Sequence, residues 1–317
     1  MEAAARPASW KILLAFAIIY FVWGSTYLAI RVGVHEVPPF LLAGMRFFVS
    51  GIVLYGWMRL KGTPSPSRRQ WASATLLGAL IFLLDYGCLF WAEQRVPSGI
   101  AAVVLATIPV FITLLEITFL HTQRLTVRLG SALLVGLGGV AVLTIHSFSL
   151  GEVPIDPAGA FALLIAAFTW SVATILTRRL DLPASKPMSA GAQMLVGGAQ
   201  LFVVAALSGE FAGFHPQAVS AKAWFALLYL IIAGSIIGFT AYVWLLHHES
   251  PTKVGTYAYV NPVVAVALGY FLGGEAVGPR TLVGAALVLV SVIAITTTPK
   301  TSVEAGKDLA LPIAEAD

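Results

Sequence analysis

Residues Pro251–Glu275 read P-T-K-V-G-T-Y-A-Y-V-N-P-V-V-A-V-A-L-G-Y-F-L-G-G-E. Between Lys253 and Glu275 lie 21 uncharged residues, close to the ~20 a helix needs to cross a bilayer. Tyr257, Tyr259, Asn261 and Pro262 interrupt that apolar run. Proline lacks an N–H and clashes with the preceding turn, so the span is expected to bend or break near its middle. A polar kink at membrane depth is tolerated only against protein or a watery cavity. Residues 96–116, V-P-S-G-I-A-A-V-V-L-A-T-I-P-V-F-I-T-L-L-E, repeat the design around Pro109. Paired proline-interrupted spans in two halves of a chain point to a transporter's binding site, with Pro109 and Pro262 as candidate hinges.

Composition agrees. The 317 residues are 58% hydrophobic and 11% charged, where a soluble protein carries about 25% charged residues. A polytopic, all-α integral membrane protein follows, and the long helical runs exclude a barrel. Cys88 is the single cysteine, so no intrachain disulfide can form. The first apolar run is too long for a signal-peptide core and ends at Arg31 without a small-x-small site, so no cleavable signal is expected.

Ten spans are expected: 12–34, 39–59, 71–94, 97–120, 127–145, 158–177, 188–207, 223–247, 254–273 and 281–298. They divide the chain into a tail (1–11), a first half (12–146), a Gly/Pro/acidic connector (147–157), a second half (158–298) and a polar tail (299–317) with the composition of a disordered segment. Basic residues set the orientation. Fourteen of the 19 fall on the side of the termini, and Arg31, Arg95, Lys222 and Arg280 on the other, with Arg46 inside a span. Both termini are therefore expected in the cytoplasm.

The halves read as copies. F-V-W-G-S-T-Y-L-A-I-R from Phe21 matches F-T-W-S-V-A-T-I-L-T-R from Phe168, Trp91 matches Trp244, and Pro109 matches Pro262. Five spans per copy is an odd number, so the second copy enters from the opposite face. This predicts two inverted five-helix repeats. These segments, with P-P-F-L-L-A-G-M-R-F, G-S-I-I-G-F-T-A-Y-V-W-L-L and Y-V-N-P-V-V-A, resemble the EamA-type transporters of the bacterial drug/metabolite transporter superfamily, over residues 12–298. The resemblance implies two EamA repeats, a central cavity, a multi-pass inner-membrane location and efflux of amino acids or other small metabolites. A Gly-Glu pair usually follows the proline-containing helix in each repeat of that family. Gly274-Glu275 fits, and Thr122-Gln123 stands in its place in the first copy.

Trp23 and Trp170 fall near mid-membrane, with Tyr27 and Thr174 four residues on along the same faces. Packing aromatics are the plain alternative; the matched positions raise a solute cavity to equal standing. Tyr257 and Asn261 precede Pro262 at i, i+4, where freed carbonyls and helix-end dipoles suit a zwitterion, although Asn261 could simply satisfy backbone opened by the proline. Tyr86, beside Asp85, joins the candidate lining. Arg46 and Asp85 lie roughly 10–13 Å below the outer surface. Charges there are costly unpaired, so mutual pairing is expected, with a substrate-carboxylate role for Arg46 as the sharper alternative. Gln193, Gly197 and Gln200 share one face and are expected to pack inward. His247-His248-Glu249 cannot converge on a metal from one helix face.

No P-loop, H-E-x-x-H or phosphate-cradling loop is present. The sequence therefore calls for no cofactor, no ATP-binding subunit and no nucleic acid; the partners are a small solute and the bilayer. The reading is a secondary or passive transporter working by alternating access, against a channel or a membrane enzyme acting on a lipid-linked substrate. Cysteine reporters in a Cys88-free background should label only from the cytoplasm at 62–67 and only from outside at 151–156. Labelling of both from one side would break the inverted arrangement.

Overall fold

Helix starts are written locally. Pro39, Pro157 and Pro279 each open a helix at its first residue, where a missing N–H costs nothing. Ser67 and Gln70 form a reciprocal capping box, with Gln70 N donating to Ser67 Oγ at 3.2 Å. Ser185 and Ser220 cap two later helices. In this computed structural model the described residues are 8–120, 125–144, 155–177, 179–248, 254 and 257–297. Thr122-Gln123, Glu249, most of the connector, residues 1–7 of the first tail and all of the last tail lie outside them; the first helix begins at Ser9, inside the stretch expected to be tail.

The described residues form ten helical rods. Eight are long and apolar enough to cross a membrane: α1 Ser9–Val34, α2 Pro39–Leu60, α3 Arg68–Glu93, α4 Ser98–Thr118, α6 Pro157–Thr177, α7 Lys186–Leu207, α8 Ala221–Tyr242 and α10 Pro279–Thr297. The other two, α5 Val127–Thr144 and α9 Tyr257–Phe271, are shorter and apolar. Helix α8 continues to His248.

Packing follows the expected internal symmetry. The two most extensive helix pairs are α2 with α7 and α5 with α10. Each joins one helix to its own counterpart five helices later, as a two-fold relation permits for helices beside its axis. Helix α1 meets α8 and α9, while its counterpart α6 meets α3 and α4. Glycines permit these approaches. A Cβ on Gly51 would enter the backbone of α7 at Leu195, and one on Gly198 would enter α2 at Phe48. Gly139 of α5 faces Val288, and Gly284 of α10 faces Leu143. Helices in lipid associate through such small-residue contacts, because lipid supplies no hydrophobic drive between them. Leu13, Phe21, Val49, Ile52, Phe161, Phe225 and Val290 point outward as an exposed apolar belt.

The two prolines behave differently. Helix α4 breaks at Ala106–Thr107, and Pro109 sits in the first turn of its second segment, Ile108–Thr118. Helix α9 runs through Pro262 as one continuous helix, so of the two spans expected to bend or break only α4 is divided. Asn261 offers a local reason. Its amide nitrogen, in the orientation that satisfies both groups, donates to the Tyr257 carbonyl at 3.2 Å and the Tyr20 carbonyl of α1 at 3.1 Å. That ties the helix to its neighbour beside the residue that disturbs it. Wider π-type turns occupy Ile18–Val22 of α1, Gly78–Tyr86 of α3 and Leu230–Ile237 of α8. The last two are corresponding helices of the two halves.

Gly51→Ala should destabilise the protein by about 1–3 kcal/mol, the usual range for overpacking. A melting curve in detergent reads this as a lower Tm. Gly56→Ala on the same helix is the control: its Cβ would meet nothing within 4 Å, so Tm should hold or rise.

Candidate functional site

The aromatic residues singled out on α1, α3, α6 and α9 fall into two groups of ring contacts. In the first, the Trp23 ring centroid lies 5.1 Å from Tyr257, edge to face, and 5.2 Å from Tyr242. Trp23 Nε1 donates to the Gly234 carbonyl at 3.1 Å. That carbonyl belongs to the π-type stretch of α8, whose wider turns present backbone oxygens sideways. Gly238 is required there, because a Cβ would fall 2.6 Å from Trp23 Nε1. In the second group, Tyr86 contacts Phe47 at 4.6 Å and Trp170 at 6.2 Å. Tyr27, one turn beyond Trp23 on α1, packs against the same core as Tyr86.

Trp23, Tyr27, Tyr86, Trp170 and Tyr257 are all half-buried rather than sealed. Two candidates serve the backbone instead. Thr174 Oγ1 donates to the Trp170 carbonyl of its own helix at 2.9 Å, and Asn261 is buried and makes the backbone bonds described above. Sequence reasoning missed Tyr242 and Phe239, whose rings lie 6.1 Å apart on α8. Their i, i+3 spacing after Gly238 was the available signal. The Gln193–Gly197–Gln200 face does pack inward: Gly197 meets Phe82, and Gln200 Nε2 donates to the Thr75 carbonyl at 3.2 Å.

The expected Arg46–Asp85 pair does not form. Arg46 is 2% exposed and Asp85 1% exposed, and Asp85 Oδ1 has no hydrogen-bond partner. Arg46 turns toward α8, where Nε donates to Ser235 Oγ at 3.1 Å. Its guanidinium rests against the rings of Phe47 at 4.6 Å and Tyr86 at 5.1 Å. Counting residues gives depth but not direction around the helix axis. The π-type turns of Gly78–Tyr86 also shift the facing of Asp85 from the 3.6-residue period. Glu93, wholly buried at the end of α3, has neither carboxylate oxygen hydrogen-bonded. Arg31 Nη1 donates to the main-chain carbonyls of Glu93 and Val96 instead.

At the end of the bundle where α1 stops, carboxylates tie helices across the two halves. Glu275 accepts from the Ser98 amide at 2.7 Å and the Gly99 amide at 3.1 Å, capping α4. Gly269 leaves the room this needs, and Gly274 takes a left-handed φ of +65° in the turn. Glu36 accepts from Ser220 N at 2.6 Å and Ser220 Oγ at 2.7 Å, before α8. Glu210 in turn accepts from Leu41 N at 2.8 Å, at the start of α2. The two loops thus clasp each other reciprocally. The Ser220 hydroxyl and amide hold the Glu36 carboxyl below its ordinary pKa, whereas burial pushes Glu210 up against the opposing pull of the Leu41 and Phe40 amides.

Helices that pair by internal symmetry, with aromatic groups where the halves meet, define a membrane transporter of duplicated design. The EamA-like transporter family model matches residues 9–145 and again 157–297, and the chain belongs to that family. Among its relatives, the uncharacterized inner membrane transporter YedA of Escherichia coli K12 is 37% identical over 284 residues, covering 89% of each chain. Protein PecM of Dickeya dadantii is 27% identical, covering 86% of this chain and 88% of its own. A probable amino-acid metabolite efflux pump of Salmonella typhimurium is also 27% identical, covering 86% and 90%. A solved crystal structure shares the fold, with a TM-score of 0.59 at 24% identity over 92% of this chain and 98% of that one.

Glu275→Gln removes a charge from the α4 N-terminus, where caps are typically worth about 0.5–2 kcal/mol. The variant should fold with a lower Tm, and amide hydrogen exchange at Ser98 and Gly99 should speed up.

Proposed function

We propose that the protein is a secondary or passive transporter that exports amino acids or related small metabolites from a bacterial cell, by alternating access around the aromatic groups between its halves. The observation that carries this reading is the meeting of half-buried aromatic rings from both halves: Trp23 of the first with Tyr257 of the second, and Tyr86 of the first with Trp170 of the second. Export and an amino-acid-like cargo draw further support from the name of the Salmonella relative, and the inner membrane from that of the Escherichia coli one. In this reading all ten rods span the bilayer as two inverted five-helix repeats, with both termini cytoplasmic.

Aromatic faces with nearby backbone carbonyls suit a small, partly apolar solute with polar ends. The break before Pro109 and the π-type turns of α3 and α8 are places where the helices can bend as the halves rock. Pro262 would act as a pivot fixed to α1 through Asn261. No ATP-binding subunit and no cofactor enter this mechanism. The cargo is a small solute; nucleic acid has no part in it.

Loss of one ring should weaken solute binding by about 1–3 kcal/mol, from lost area and packing. The test is to reconstitute Trp23→Ala and Trp170→Ala in proteoliposomes and measure both Tm and counterflow of radiolabelled amino acids. Flux lost with Tm nearly kept supports the site. Flux that survives in both variants, or falls only in step with stability, assigns these rings to packing.

A further inference from the structure

Arg46 lies within α2 and is 2% exposed. Arginine keeps its charge in proteins, and an unpaired charge at membrane depth is costly enough to mark a functional position. Among the described residues no carboxylate forms an ion pair with it. The rings of Phe47, Tyr86 and Phe90 flank the guanidinium, with centroids 4.6, 5.1 and 6.0 Å from Cζ. Their faces attract a cation but carry no net charge. Nε donates to Ser235 Oγ, a neutral partner, and Nη1 is buried without a hydrogen bond.

The guanidinium reaches both groups of ring contacts. Tyr86, on which it rests, belongs to the group that includes Trp170. Gly234 of α8 is beside it as well: an added Cβ there would fall 3.1 Å from Arg46 Nη2. The carbonyl of that same glycine takes the Trp23 N–H. Arg46 and Trp23 therefore converge on one residue of the π-type stretch of α8, at a point where the two halves meet. A side chain at 234 would press on the guanidinium, and glycine leaves it in place. Stacking on the rings and the bond to Ser235 fix the plane of the planar fork, so Nη1 is oriented before any solute arrives.

We propose that Arg46 reads the carboxylate of the transported solute, and so restricts the cargo to molecules with an anionic end. A carboxylate brought to Nη1 supplies the hydrogen-bond acceptor and the negative charge together, and guanidinium–carboxylate bonds are among the strong ones. The half-buried ring of Tyr86 is what such a solute displaces to reach Nη1, while Trp23, Tyr257 and Trp170 take its apolar part. A packing role alone fits less well, because it leaves a costly buried charge uncompensated. The assignment rests on the transporter reading, with the solute held at the aromatic groups.

The experiment uses the full chain in nanodiscs, titrated with L-phenylalanine and with L-phenylalaninamide, in which a neutral amide replaces the carboxylate. Binding is followed by calorimetry and by the rise in Tm that a ligand of the folded state produces. The wild type should bind the acid about tenfold to a hundredfold more tightly than the amide, the effect of one charge-assisted hydrogen bond. Arg46→Gln should lose that preference, and Arg46→Lys, which keeps the charge without the fork, should retain part of it. A merely structural arginine would weaken both probes alike, so an unchanged ratio in Arg46→Gln overturns the proposal. Should that variant fail to fold, Arg46→Lys decides, and an undiminished preference there overturns it. Equal binding of the two probes by the wild type overturns the role of Arg46 and leaves the transporter reading standing. Failure of the wild type to bind either probe refutes the amino-acid cargo together with this assignment.

Discussion

A helix inside a bilayer must satisfy its backbone from within the protein, because hydrocarbon offers no hydrogen bonds. Much of the polar chemistry in this chain answers that constraint. Trp23 Nε1 donates to a carbonyl of the wider-turned part of α8, and Asn261 donates to carbonyls on either side of an interhelical seam. Ser291 Oγ reaches across from α10 to the Ala132 carbonyl of α5 at 2.6 Å. Residues that look like ligands in sequence are in several cases first of all backbone partners. The aromatic groups are positioned by this bonding: Trp23 is pinned by its own N–H, with its ring left to meet Tyr257 and Tyr242.

The same constraint shapes the ends of the bundle. Glu36, Glu210 and Glu275 each cap a helix start in the other half of the chain. Such a contact satisfies orphan amides, opposes the positive helix end with a negative charge, and fixes one half against the other. If the halves rock during transport, these caps are bonds that the motion must keep or break as units. Close glycine packing of α2 on α7 and of α5 on α10 supplies the complementary element, pairs of rods held backbone to backbone.

Much of the fold was legible because lipid leaves the sequence few options. Hydropathy located all ten rods, and prolines marked the starts of some of them, as at Pro39 and Pro97. The copies F-V-W-G-S-T-Y and F-T-W-S-V-A-T foretold a contact pattern in which each helix meets the counterpart of its counterpart's neighbour. Of the candidate site, the aromatic members came together, while Thr174 and Asn261 turned to the backbone. Arg46 and Asp85 show why the rest was hidden. Their depths follow from residue counting at 1.5 Å per residue, but whether they meet depends on rotation about two helix axes, and the π-type turns of α3 alter that rotation.

What the amino-acid sequence determined by itself was therefore one-dimensional: which segments are rods, roughly where they start and which half repeats which. Composition and periodicity suffice for that, since burial in lipid selects for them along the chain. Only the tertiary structure decided azimuth and partnership. It placed Arg46 on Ser235 rather than Asp85 and drew Tyr242 into the group around Trp23. Those outcomes depend on which helix faces are opposed across a packed interface. A residue's neighbours in sequence do not specify that facing, because it is set jointly by the glycine contacts, the wider turns and the caps.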